Sequence, residues 1–177
     1  MIPKKLEDAM NEQLNYELFS SYIYQAMSAD FKAKGLNGFA NWMQVQVKEE
    51  LIHAMGFHNY ILSRGGKVKL MKIEAPPESW KTPLEAFEHA LHHEESVTAR
   101  INKLAKIAKD EDDFASANFL QWYINEQVEE EEKASEIVNQ LKMVIDSKEA
   151  IFMIDKELGT RTFVAPTIPG GYNPTTA

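Results

Sequence analysis

At 177 residues and 44% hydrophobic content, the chain is long enough to bury a real core and short enough to form one unit. A formal net charge of −8 argues against a nucleic-acid surface, which needs a basic stripe, and makes cations the more natural partners. Zero cysteines exclude a disulfide framework, a thiolate metal site, an iron–sulfur cluster and a thiol nucleophile, and fit a reducing compartment.

The start, Met1-Ile2-Pro3-Lys4-Lys5, leads into a polar helical pattern, and no stretch approaches ~20 apolar residues, so a soluble, untargeted, cytoplasmic protein without a membrane partner is expected. Helix one is predicted over residues 3–34, with Pro3 in its first turn and Gly35 at its end. Its stripe at three- and four-residue steps reads Met10, Leu14, Glu17, Ser21, Tyr24, Ser28, Phe31. Helix two runs over 37–64 from Asn37 as N-cap, with the stripe Phe39, Met43, Gln46, Glu50, His53, Phe57, Tyr60. Residues 65–81, with Gly65-Gly66 and Pro76-Pro77, admit no helix. Thr82 caps helix three, which runs to about residue 109 with the stripe Leu84, Phe87, Leu91, Glu94, Thr98, Ile101, Ala105, Ala108. Helix four follows the acidic turn at 110–113 and extends to about 145, its stripe reading Leu120, Tyr123, Gln127, Glu130, Ala134, Ile137, Leu141, Val144. A short fifth helix covers 147–158, and an irregular tail, partly ordered at best, covers 159–177.

The long connection sets the topology. A helix of ~27 residues is ~40 Å long, and 17 extended residues reach at most ~60 Å, so residues 65–81 can cross the whole bundle. The short turns make helices one and two antiparallel, and three and four antiparallel, while the crossover makes two and three parallel. The expected fold is therefore all-α: a four-helix bundle with one long crossover over residues 1–158, including a fifth helix.

Each stripe carries an acid at its middle, and uncompensated carboxylates do not belong in a core. Burying an isolated carboxylate is so unfavourable that it neutralises instead. Four acids at one level therefore imply a positive charge held between them, and His53, three residues after Glu50, suggests a metal. Lone helix acids are ordinarily solvated. Independent surface acids, however, would not fall on four core stripes.

At these residues the chain resembles the prokaryotic non-haem ferritins over residues 3–158. The most specific pieces are Asn11-Glu12-Gln13 through Glu17, Glu49-Glu50-Leu51-Ile52-His53-Ala54, Phe119-Leu120-Gln121-Trp122-Tyr123 and Glu126-Gln127-Val128-Glu129-Glu130-Glu131. The resemblance implies the ferritin-like fold, one iron position at Glu17, Glu50 and His53, and a second at Glu50, Glu94 and Glu130, with Glu50 bridging. Gln127 would lie beside the pair, Glu49, Glu126 and Glu129 with Glu130 would form a third iron position, and Tyr24 would sit next to the diiron centre. Helix four thus offers Gln127-x-x-Glu130 where related bundles carry Glu-x-x-His. Leu51 stands where bacterioferritins carry the haem-ligating Met, so no haem is expected. The implied function is iron storage with ferroxidase activity toward ferrous iron, with dioxygen or hydrogen peroxide as oxidant, in a homo-oligomeric cage of 24 subunits. Hard oxygen ligands favour the ferric state, and two irons can give two electrons to one dioxygen. Oxidisable Tyr24 and Trp122 would supply further electrons.

Other features are read more plainly. His89, His92 and His93 fall beside the core stripe and are read as surface groups. Asp110, Asp112 and Asp113 either line a cation pore between subunits or simply start helix four. Glu129 to Glu132 are either ligands in part or a solvated run. Trp42, Ile52, Trp80 and the apolar run 150–154 lie off the stripes, and a partner subunit is the expected cover. The competing functions are a rubrerythrin-like diiron peroxidase or oxidase, whose paired-cysteine rubredoxin module is absent from this sequence, a DNA-shielding mini-ferritin, and a metal-free helical scaffold.

Overall fold

A computed structural model describes residues 1–174 and contains α1 (Lys4–Ala33), α2 (Asn37–Ser63), α3 (Pro83–Asp110), α4 (Phe114–Met143) and α5 (Lys148–Leu158). Among the described residues the remaining regular pairing is an isolated antiparallel bridge between Ile168 and Tyr172. The three last residues of the expected tail, 175–177, lie outside the described residues.

The helices stop where local chemistry stops them. Gly35 and Gly65 take positive φ values of 76° and 72°, and the residue after each returns an N–H to the helix, Leu36 to Phe31 O and Gly66 to Ile61 O. α3 ends in the same way with Asp112 at φ 52° and Asp113 N–H donating to Ala108 O. Thr82 and Ser147 cap α3 and α5 by accepting from Glu85 N and Ala150 N, both at 3.1 Å.

The start of α2 departs from expectation. Asn37 is its first helical residue, Leu36 occupies the cap position, and no side chain of the local sequence caps it. Asp155 of α5 does so from a distance, its Oδ1 accepting from Gly38 N at 2.7 Å and Phe39 N at 3.0 Å. A carboxylate at a helix N-terminus satisfies orphan N–H groups and complements the helix dipole, so this contact fixes α5 against α2.

The crossover spans the bundle as the chain-length argument requires. Asn11 and Asn15 of α1 act as side-chain partners for its extended backbone: Asn11 with Lys67 O and Lys69 N, Asn15 with Lys69 O and Met71 N, all between 2.6 and 3.0 Å. Farther on, Trp80 N donates to Asp30 near the other end of α1. α2 ends beside the start of α1, where Ile2 N donates to Arg64 O, so α3 begins at the opposite end and runs parallel to α2. The pairs α1–α2 and α3–α4 carry the most extensive packing.

Two apolar clusters fill the bundle, one around Met10, Leu14, Phe57, Leu104 and Phe119 and the other around Met27, Phe31, Phe39, Phe87 and Ile137. Between them lies the layer of acids.

The expectation that a partner covers the off-stripe apolar residues is corrected in part by the packing. Trp42, Ile52 and Trp80 are buried within the chain itself. Trp42 lies 5.0 Å from the Phe87 ring and under the Arg161 guanidinium at 4.5 Å, and Trp80 Nε1 donates to His89 Nδ1 at 2.9 Å. Of the run 150–154, Ile154 is buried, whereas Phe152 and Met153 are 58% and 71% exposed. Residues 159–174 of the irregular tail lie against the bundle as a strap: Ile168 is buried and Gly171 lies against Gly56 of α2. A Cβ on Gly56 would sit 2.2 Å from the Tyr123 hydroxyl and 2.8 Å from Ile168, so only glycine permits this approach.

Candidate metal centre

α1 delivers Glu17, α2 Glu50 and His53, α3 Glu94 and α4 Glu130 and Gln127, all buried, and the four carboxylates are at most 2% exposed. Ligand atoms of Glu17, Glu50 and His53 lie within 4.8 Å of one another. His53 Nδ1 is 3.5 Å from Glu50 Oε2. Glu94 and Glu130 are turned to neighbouring donors instead. Glu94 accepts from the Tyr24 hydroxyl and from Gln127 Nε2 at 3.1 Å, while Glu130 accepts from Gln46 Nε2 at 2.7 Å and from Lys133 Nζ at 3.0 Å.

The electrostatics follow from burial. Glu17 is pushed up to about 8 by burial, with Glu50 adding to the rise, and Glu94 to about 7 by burial and Glu130. Glu50 rises well above the carboxylate range through burial and the nearby charges of Glu94 and Glu130. Burial would also raise Glu130, but Lys133 and Gln46 outweigh it and hold this group below its ordinary value. The Tyr24 phenol is raised by burial and by Glu94, so it stays protonated and donates.

The site also contains buried atoms with nothing to bind. Glu17 Oε2, His53 Nε2 and Gln46 Oε1 have no hydrogen-bond partner. Buried polar atoms are ordinarily satisfied, so a carboxylate oxygen and an imidazole nitrogen left over in one cluster fit an absent ligand. Acids around a cluster with a single imidazole suit a hard or borderline cation such as iron.

The supporting contacts of several residues escaped sequence reasoning. Arg100 Nε donates to Gln13 Oε1 at 2.9 Å, and because arginine can only donate, this leaves Gln13 Nε2 to hold Glu17 Oε1 at 2.8 Å. Tyr123 donates to His53 O at 2.8 Å and Trp122 lies 5.5 Å from the His53 ring. Gln13 and Gln46 sit on or beside the stripes as neutral polar residues, the one signal that marked them.

The acids expected at a third position are arranged differently. Glu49 Oε2 is 2.7 Å from Arg161 Nη2, Glu129 Oε2 is 3.8 Å from Lys133, and Glu126 is raised by burial. His93 is buried, not a surface group: it stacks on Tyr16 and shares a 2.8 Å hydrogen bond with Ser20. His89 is held by Trp80 and His92 is exposed. Asp113 is committed to the fold, capping α4 through Ser116 N and pairing with Arg64 at 3.0 Å.

Comparison with known proteins gives one answer. The Ferritin family, described as a ferritin-like domain, matches residues 7–144. A bacterial non-heme ferritin of Bacteroides fragilis (strain 638R) is 45% identical over 161 residues, covering 91% of this chain and 100% of that protein. One from Staphylococcus aureus (strain MRSA252) is 39% identical over 163 residues, covering 92% and 98%. Among solved structures, an open pore ferritin from the hyperthermophilic archaeon Archaeoglobus fulgidus is 48% identical with a TM-score of 0.91, covering 92% of this chain and 100% of that one. A humanized archaeal ferritin is 46% identical with a TM-score of 0.92, covering 93% and 100%.

Proposed function

The chain belongs to the ferritin family, and on that premise we propose that it stores iron, oxidising ferrous ions at a two-metal site inside each bundle and depositing ferric oxyhydroxide within a cage of 24 subunits. Glu17, Glu50 and His53 take the first ion, Glu50, Glu94 and Glu130 the second, and Glu50 bridges them. Gln13, Gln46 and Gln127 orient the carboxylates. The observation that carries the reading is the unsatisfied, buried cluster of Glu17, Glu50 and His53 in the middle of the bundle.

Iron is here the substrate. Two ferrous ions give two electrons to one dioxygen, which takes up two protons and leaves as hydrogen peroxide. Oxygen ligands favour the ferric product, and the single imidazole leaves it loosely enough held to move on. No helix among the described residues is long and apolar enough to cross a membrane, and we place the protein in the cytoplasm.

The test is aerobic loading with about fifty ferrous ions per chain, far more than the few ligand sites of one bundle, followed by gel filtration with iron and protein detected together. Storage predicts that most of the iron elutes in a large soluble assembly. Two or three ions on a small oligomer, with the rest precipitated, would mark a diiron redox enzyme without storage.

A further inference from the structure

We propose that Arg100, on the outer side of the seam between α1 and α3, is a positioning residue for the first metal ion, acting through Gln13 to decide which oxygen of Glu17 is held and which stays free. The proposal rests on the two-metal reading above and adds to it a residue outside the layer of acids.

A glutamine amide is two-faced. Its oxygen only accepts, its NH2 only donates, and the two ends are nearly the same size, so shape alone does not decide which end meets Glu17. Turned one way, Gln13 gives the carboxylate a donor. Turned the other way, it sets one acceptor oxygen against another. Arg100 selects between them, because its Nε donates to Gln13 Oε1 at 2.9 Å and a guanidinium offers no acceptor to the reversed amide. Gln13 Nε2 therefore faces inward and donates to Glu17 Oε1 at 2.8 Å. The other oxygen, Oε2, is buried without a partner and is the one left for an ion beside Glu50 and His53.

The guanidinium is itself fixed. Nη2 donates to Glu12 O at 3.2 Å, and the Tyr16 ring lies 4.1 Å from the guanidinium carbon. Tyr16 is anchored in turn, its hydroxyl 2.6 Å from Ser96 Oγ on α3 and its ring stacked on His93 at 5.2 Å. Glu12, Gln13 and Tyr16 all stand on α1, so Arg100 grips one stretch of that helix at three points. Arg100 is half-buried and Gln13 is buried, which keeps the amide from settling with water instead. A lysine would bring a donor to the same place, without the planar fork that spans Gln13 and Glu12 while lying on Tyr16. Loss of Arg100 would leave Gln13 present but free to turn over, and Glu17 would lose its fixed donor for part of the time.

The experiment is calorimetric titration of the assembled, metal-free protein with zinc, which binds oxygen and imidazole ligands and undergoes no oxidation. The site lost in Glu17→Gln is the first. Arg100→Met keeps an apolar stem over Tyr16 and removes the donors. It should weaken the first site by about three- to tenfold and leave the second within about twofold, since one ordinary hydrogen bond is lost and Gln13 remains. Arg100→Lys should return the first site to within about threefold of wild type. In Gln13→Leu the route through the amide is already gone, so adding Arg100→Met to it should weaken the first site by less than about twofold more. Wild-type affinity in Arg100→Met overturns the proposal. A further loss in the double variant as large as that in Arg100→Met alone also overturns it, because Arg100 would then act by another route. Equal weakening of both sites, or a loss in Arg100→Lys that matches Arg100→Met, assigns the effect to packing of the seam and overturns it too. Absence of any tight site in wild-type protein would instead fell the two-metal reading, and the proposal with it.

Discussion

Two buried carboxylate groups in this molecule meet opposite fates. At the turn between α3 and α4, Asp113 is paired with Arg64 through both guanidinium nitrogens and accepts from Ser116 N and Oγ, and its carboxyl is held below the ordinary range despite burial. At the centre of the bundle, Glu17 and Glu50 are buried more deeply still, have no arginine or lysine beside them, and are driven up instead. The fold can evidently supply a counter-ion where it wants a carboxylate permanently ionised. In the centre it withholds one, and on the proposed function iron from solution supplies the missing charge. Glu130 and Glu49 lie between these extremes, each with an internal cation at its edge.

The largest test of that contrast is removal of the central acid. Glu50→Gln should abolish rapid ferrous oxidation, a loss larger than the roughly 10- to 100-fold that removal of a supporting hydrogen bond costs a metal site. Stopped-flow absorbance reads the rate. The same change should raise the melting temperature of the metal-free protein, because an amide is buried where an unpaired acid stood, a gain of about 0.5–2 kcal/mol. An equivalent Asp113→Asn should lower it. If both substitutions shift stability in the same direction, the distinction between supplied and withheld counter-ions is wrong.

A finer test separates the first ion from the second. Gln13→Leu removes the donor that holds Glu17 Oε1, and Gln46→Leu the donor that holds Glu130 Oε2. Each should weaken one zinc site by about 10- to 100-fold and leave the other nearly unchanged, by calorimetry. Equal weakening of both sites by either variant would show that the four acids act as one undivided group.

Much of this was legible in the sequence because helical periodicity is local. The steps through Glu17, Glu50, Glu94 and Glu130 reported which face each acid takes, and Thr82, Gly35 and Gly65 marked helix ends through their own backbone chemistry. What stayed illegible was contact between segments far apart in the chain. Nothing near Asn37 reveals that Asp155 caps α2, and nothing in the irregular run after Gly159 reveals that Arg161 reaches Glu49 or that Ile168 settles on Gly56. His93 was misjudged for a related reason. It lies one position from the core stripe, and side chains of α1, Tyr16, Phe19, Ser20 and Tyr24, cover it.

The Asp113 pair also carries a pH dependence. Its folded pKa is depressed, so its contribution to stability is complete above the unfolded value of about 4 and is lost as pH falls through the folded value. Asp113→Asn should therefore cost about 1–3 kcal/mol at neutral pH, and the gap to wild type should close on acidification. Denaturant unfolding at a series of pH values measures it. A gap independent of pH would mean that the cap, and not the charge, is what Asp113 contributes.

The smallest effect is expected at Tyr24, which serves an acid that already has a second donor. Its hydroxyl holds Glu94 together with Gln127, and its ring is buried against Trp42 and His93. Tyr24→Phe deletes one hydrogen bond and one oxidisable group without opening a cavity. Oxidation should slow by about two- to tenfold, the kinetic counterpart of one ordinary hydrogen bond, and any tyrosyl radical signal during turnover should vanish. Unchanged kinetics would remove Tyr24 from the reaction. A loss confined to the second metal ion would leave the comparison standing, since Glu94 depends on an internal donor and Glu17 and Glu50 do not depend on this one. A matching loss at the first ion would break it, because Glu17 Oε2 and His53 Nε2 have no partner in the protein through which Tyr24 acts on them.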